Sequence, residues 1–141
     1  MKGVSYLLKI EAKVFTGSHE EFYSMMGKFF AEPDYKKQMP YMCNKSTHVW
    51  ILAFHDQKVV GFGAINELNN KIVFESSFVE HNYRRTGIWK LINKERFEYI
   101  KGRNKRLEVI TKEEHLKNYW FKKGFKVSRQ NGKYFYLRKD V

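Results

Sequence analysis

The pattern of apolar and polar positions opens with a strand-like run, VSYLLKIEA, over residues 4–12. Helical spacing follows in SHEEFYSMMGKFFAE (residues 18–32), where Ser18 with Glu21 three residues on has the spacing of a capping box. Pro33 and Pro40 interrupt PDYKKQMPYM, which reads as irregular. Three strands come next in HVWILAFHD (48–56), KVVGFGAINE (58–67) and KIVFESSFVE (71–80), separated by short polar turns at Asp56-Gln57 and LNN. They predict an antiparallel meander.

From Gly87 the period changes to that of an amphipathic helix, with Ile88, Leu91, Ile92, Glu95 and Tyr99 in register and a stop near Gly102. RLEVIT (106–111) is a short strand, and KEEHLKNYWFKKG (112–124) is a helix ended by Gly124. Asn131-Gly132, between two apolar-alternating runs, predicts a terminal hairpin. The order β-α-β-β-β-α-β-α-β-β specifies an α/β fold on a mixed sheet, and the absence of repeats or linkers makes residues 1–141 a single domain.

Composition adds a ring-rich core: hydrophobic residues are 43% and aromatics 17% of the 141 residues. The formal net charge of +12 sets up a field that attracts polyanions, whether nucleic acid, an anionic membrane or a phosphorylated small molecule. The lone Cys43 excludes an internal disulfide and, with no Cys/His cluster beside it, argues against structural zinc. No signal peptide and no run approaching a membrane helix is visible, so a cytoplasmic protein without a membrane partner is expected.

The chemistry concentrates in YRRTGIW, residues 83–89. A strand that ends in a basic loop and turns into a helix directs several unpaired backbone N–H groups, and the helix's positive end, at one place. Gly87 leaves the main chain accessible, and Arg84 and Arg85 can clamp anion oxygens. The stretch is therefore either a phosphate cradle or a plain solvated basic loop.

FVEHNYRRTGIWKL resembles the acyl-CoA-binding signature of the GNAT superfamily of N-acetyltransferases, a basic Q/R-x-x-G-x-G/A loop between a strand and a helix. Arg84 matches its first position and Gly87 its first glycine; Trp89 departs from its second small residue. YWFKKGFKV resembles the family's later segment, with Gly124-Phe125 matching its Gly-Phe pair. The resemblance spans roughly residues 45 to 138. It implies a GNAT-like fold with splayed central strands flanked by helices, and an N-acyltransferase using acetyl-CoA as acyl donor. It implies that Phe78 and Val79 pair with the pantetheine arm. The amides of Arg85, Thr86, Gly87, Ile88 and Trp89, with the Arg84 side chain, would hold the pyrophosphate. Where the family often has a tyrosine that protonates the leaving thiolate stands Trp120, with Tyr119 beside it. An indole N–H is no practical acid, so Tyr119 is the candidate. The family's frequent asparagine seven residues earlier is replaced by Glu113.

Attack by an amine requires it neutral, and Glu75, an acid in an otherwise apolar strand, is the candidate base. Strand alternation places it on the face of Val73 and Ser77, where burial would tune it. Ser76 and Ser77 read as structural, and His48, His55, His81 and His115 as solvated or capping residues at element ends. Phe29-Phe30 and Met25-Met26 are expected in the core, and Glu80 and His81 in shaping the loop.

The resemblance implies an amine acceptor. The clusters KGRNKR, FKKGFK and YLRK, interleaved with aromatic residues, extend the options to DNA or RNA, or to amines linked to them. GNAT relatives that acetylate aminoacyl-tRNA as toxins, or that modify DNA as phage Mom-type proteins do, offer an analogy at the level of fold. The alternative is a non-catalytic nucleic-acid-binding module on a degenerate acyltransferase fold.

Overall fold

The computed structural model describes residues 9–112 and 117–140. Along the chain lie β1 (Ile10–Thr16), α1 (Phe22–Ala31), α2 (Pro33–Gln38), β2 (His48–His55), β3 (Lys58–Glu67) and β4 (Lys71–Val79). A 3-10 turn (His81–Tyr83) leads to α3 (Ile88–Ile100), β5 (Arg106–Thr111), α4 (Lys117–Lys122), β6 (Lys126–Asn131) and β7 (Tyr134–Asp140). The seven strands form one sheet in the order β1-β2-β3-β4-β5-β7-β6. Only β4 and β5 run parallel, joined through α3; every other neighbouring pair is antiparallel. The expected mixed sheet with its antiparallel meander is present. No described helix is long and apolar enough to cross a membrane.

Both faces of the central strands are covered, which is why β2 reads as a continuous apolar run. Its alternation sends Trp50 and Leu52 to α1, where Phe22, Met26 and Phe29 meet them with Phe62 and Phe78. It sends Ile51 and Ala53 to the opposite layer, with Ile88, Ile92 and Ile100 of α3 and Trp120 and Phe125 near α4. Each such large side chain, fully buried, contributes on the order of 1.5–3 kcal/mol through the hydrophobic effect.

Four local expectations change. The first described strand runs Ile10–Thr16, past the expected end at residue 12, while residues 4–8 of that expectation lie outside the described residues. Ser18 does not cap α1: it sits in the turn after β1, its hydroxyl 3.3 Å from that of Thr16, and the helix starts at Phe22 behind Glu21 with no side-chain cap. Pro33 does not break the chain but begins α2, since the first helical position needs no N–H. The terminal hairpin loop is Gly132-Lys133, because Asn131 pairs with Tyr134, and Gly132 supplies the positive φ of 62° at its first position.

Candidate functional site

β4 and β5 pair only from Lys71 with Arg106 to Phe74 with Val109. Beyond that point β5 stays with β7, and β4 continues alone on this side from Glu75 to Val79. The strands splay apart, leaving backbone donors and acceptors of β4 open along one edge.

A bulge opens where the splay begins. Phe62 pairs with Phe78 and Ala64 with Glu75, so Gly63 faces two residues, and Ser76 takes a left-handed φ of 55°. Such a conformation in a non-glycine residue costs about 1–2 kcal/mol and requires its surroundings to hold it. The bulge reverses the alternation. Glu75 shares its face with Val73 and Phe78, and Ser77 turns to the other side, so the expectation that Glu75 and Ser77 share a face is corrected. An extra residue in the strand shifts the parity.

Arg96 of α3 holds the bulge. Its Nη2 donates to the Glu75 carbonyl at 3.0 Å and to Ser77 Oγ at 2.6 Å. The guanidinium is 1% exposed, and among the described residues no carboxylate forms an ion pair with it. Burial pulls its pKa down to about 9, which still leaves it charged at neutral pH. Beside it Asn93 is fully buried, and Tyr119 is partly buried. Burial raises the Tyr119 hydroxyl above its ordinary value, opposed by the Asn93 side chain and the Arg96 charge. Asn93 lies close enough to favour the ionised phenol, but neither of its amide atoms closes a full hydrogen bond. Trp120, at the position of the family's tyrosine, is 2% exposed and its indole N–H has no partner. It packs as core; Tyr119 alone of the two offers a hydroxyl. Glu113 and His115 lie outside the described residues.

On the opposite face, Glu75 Oε1 is 2.5 Å from His48 Nε2. His48 was expected to be solvated or capping. It does accept the Lys45 N–H at Nδ1, at 2.7 Å, yet it is 2% exposed and its other nitrogen is given to Glu75. The partner lies 27 residues away, so local sequence carries no sign of it. Glu75 and Tyr119 thus flank β4 from its two faces.

After β4 the chain makes the 3-10 turn, extends at Arg84 and enters α3 through Arg85 (φ 62°) and Gly87 (φ 88°). Thr86 Oγ1 donates to the Tyr83 carbonyl, closing the loop. Among the described residues, none of the N–H groups of residues 85–90 donates to another protein group. Arg84 and Arg85 are exposed. Arg84 Nε turns back to the Val79 carbonyl at 2.9 Å with its guanidinium over the Phe78 ring, so only its terminal nitrogens remain for a ligand. Phe78 and Val79, each 8% exposed, present their side chains to opposite core layers, and β5 pairs with neither of them. The bulk of Trp89 is accommodated: its ring packs edge-on against Tyr119 (4.7 Å between centroids) and Trp120 (5.9 Å).

Two surfaces border this region. A cavity of about 260 Å³ is lined by Glu32, Asp34, Tyr35, Phe78, Glu80 and Arg84. Lys122, Lys123, Lys126, Arg129 and Lys133 are exposed along α4 and the last hairpin, with Arg129 stacked 4.0 Å above Tyr136.

The sequence profile of the family described as "Acetyltransferase (GNAT) domain" matches residues 12–135. Among proteins of curated function, none matches this sequence. Solved structures share the architecture at low identity. Escherichia coli ElaA superposes with a TM-score of 0.71 at 16% identity, over 93% of this chain and 99% of that one. An acyl-CoA N-acyltransferase from Pseudomonas aeruginosa gives 0.74 at 10% identity, over 92% and 99%. A PaiA N-acetyltransferase from Thermoplasma acidophilum, in complex with coenzyme A, gives 0.63 at 15% identity, over 94% and 99%.

Proposed function

The chain belongs to the GNAT acetyltransferase family, and from that premise we propose that it transfers an acyl group, acetyl in the simplest case, from acyl-CoA to an amine. The observation that carries this reading is the row of unengaged N–H groups at residues 85–90, set beside the open edge of β4. The row ends in a helix start, where backbone amides and the helix dipole both favour an anion. The terminal nitrogens of Arg84 and Arg85 add charge. These groups fit the pyrophosphate of coenzyme A, and the backbone of β4 beyond Phe74, which has no strand partner on the β5 side, fits the amide-bearing pantetheine arm between the Glu75 and Val79 carbonyls that Arg96 and Arg84 engage. A bound acyl-CoA supplies a thioester that an amine can attack. Its presence in relatives such as the Thermoplasma protein, and in an Elizabethkingia anophelis acetyltransferase with acetyl-CoA bound, supports the assignment.

The protein's own groups divide the proton work. Glu75 accepts the proton that the attacking nitrogen loses. Tyr119, a phenol protonated at neutral pH, gives its proton to the departing sulfur. Arg96 fixes the bulge between them and adds a positive charge on the side where negative charge leaves.

For the acceptor, the exposed cations of α4 and the last hairpin support an amine carried by, or bound close to, nucleic acid. The test is incubation with acetyl-labelled acetyl-CoA and a panel of DNA, tRNA, aminoacyl-tRNA and aliphatic amines. Label in one acceptor supports transfer. Nucleic-acid binding with a steep salt slope, no label in any acceptor and no acetyl-CoA binding by calorimetry would establish the non-catalytic module instead.

A further inference from the structure

We propose that His48 is the positioning residue for Glu75: it donates Nε2–H to Oε1, leaving Oε2 as the one carboxylate oxygen free to take a proton. The proposal rests on the reading of Glu75 as the base.

The direction of the bond follows from the other side of the ring. An amide N–H only donates, and the Lys45 N–H points at His48 Nδ1 from 2.7 Å. Nδ1 therefore carries a lone pair, and the single proton of the neutral imidazole resides on Nε2. Nε2 lies 2.5 Å from Glu75 Oε1, where that proton is shared with a carboxylate oxygen. An imidazolium would set a second ring proton against the Lys45 amide, so His48 is built to donate and not to relay.

The fold enforces the meeting. His48 on β2 is in register with Asn66 of β3, and Glu75 on β4 with Ala64, two residues back on the same face. Ala64 is fully buried, and its methyl group leaves room for the imidazole and the carboxylate to join over β3. The ring itself is 2% exposed and packed 5.7 Å from Trp50. Glu75 is held from the other face as well, by Arg96 on its carbonyl, and Arg96 is the charged side chain packed against this part of β4 from α3. Backbone and Oε1 are thus both fixed. Oε2 accepts no hydrogen bond among the described residues, and the side chain keeps 24% of its surface exposed, enough for an amine to reach it.

Two substitutions separate this role from that of a turn cap. His48→Gln keeps an N–H donor at the reach of Nε2 but loses the acceptor for Lys45. His48→Asn keeps an acceptor near Nδ1 but has nothing to give Glu75. With the amine that the panel identifies, His48→Asn should lose about tenfold or more in kcat, part of the roughly 10²–10⁴ that a general base supplies. The KM for acetyl-CoA should not change, and His48→Gln should recover most of the rate. The reverse ranking would make His48 a turn residue and overturn the proposal. A second measurement needs no acceptor. In histidine-labelled wild-type protein, nuclear magnetic resonance should find His48 protonated on Nε2 alone, with a downfield Nε2–H that moves upfield in Glu75→Ala. A proton on Nδ1, or an Nε2–H indifferent to Glu75→Ala, overturns the proposal. Full activity in Glu75→Gln would instead remove the base while leaving the wild-type resonance in place, so the two failures are distinguishable.

Discussion

Arg96 occupies the volume that a side chain at position 63 would need. A β-carbon built on Gly63 would lie well inside 3.0 Å of the guanidinium. The glycine, the bulge at Ser76 and the buried arginine therefore form one device. Gly63→Ala should lower the melting temperature by roughly 4–12 °C, from an overpacking cost of about 1–3 kcal/mol, and should lower kcat with it. Gly27 in α1 is the control, since nothing lies within 4 Å of a β-carbon there. Gly27→Ala should raise stability by about 0.5–1 kcal/mol. Calorimetric melting of both variants checks the pair; an unchanged Gly63→Ala melt would mean that Arg96 is not held as described.

This device marks the limit of what the sequence disclosed. β3, β5 and the start of α3 were readable because each apolar run is bounded by turn residues, and because helix and strand periods differ sharply at Gly87. The basic loop was readable because its parts are contiguous. The bulge was not: Ser76-Ser77 carries no glycine or proline, and the clue stood on the neighbouring strand as Gly63, a residue whose absent side chain signals close approach. Arg96 carries no mark of its own within KERFEY, and His48 reads as a solvated or capping histidine at an element end. Their meaning depends on partners brought near by topology alone. Pro33 breaks a helix interior in general, yet at a first turn the same ring is an advantage.

The loop at Gly87 should be unforgiving. Its φ of 88° is strained for any side chain, at about 1–2 kcal/mol, and a carboxylate there would compete for the N–H groups proposed to hold the pyrophosphate. Gly87→Glu should weaken acetyl-CoA binding by at least about a hundredfold, equivalent to about 2.8 kcal/mol. Gly87→Asn should be milder, since asparagine tolerates this conformation. Titration calorimetry on folded variants decides; a Gly87→Glu protein that binds within about threefold of wild type would remove the pyrophosphate from this loop.

Tyr119 gives a prediction in kcat and in pH. Burial raises its hydroxyl above the ordinary 10.0, so the donor form persists throughout the neutral and mildly alkaline range. The midpoint for loss of this donor on the alkaline side should therefore lie above that of an ordinary tyrosine. Tyr119→Phe should lower kcat by about 10–100-fold with little effect on the KM for acetyl-CoA. Undiminished turnover in Tyr119→Phe would mean that the thiolate departs without a phenolic acid. Trp120 could not then be the substitute, because its indole N–H does not ionise near neutral pH.

Tyr35 predicts how stability responds to strong alkali. It donates to Glu80 Oε2 at 2.7 Å, and burial, then the bond to and charge of Glu80, push it up to about 12. Between pH 10, where the unfolded chain loses this proton, and pH 12, the native state still holds it. The unfolded state binds fewer protons there, so this contribution is complete below pH 10 and is lost as pH rises toward 12. Tyr35→Phe should lack that alkaline slope, while giving up about 0.5–1.5 kcal/mol at neutral pH for the missing hydrogen bond. Tyr35 is partly exposed, so solvent screening makes the slope shallower than a fully buried hydroxyl would give. Urea midpoints followed from pH 7 to 12 should converge for the two proteins at the top of the range, with phenolate absorbance reporting one late-titrating tyrosine fewer in the variant. Parallel midpoint curves would show that the Tyr35–Glu80 bond does not hold the proton in solution.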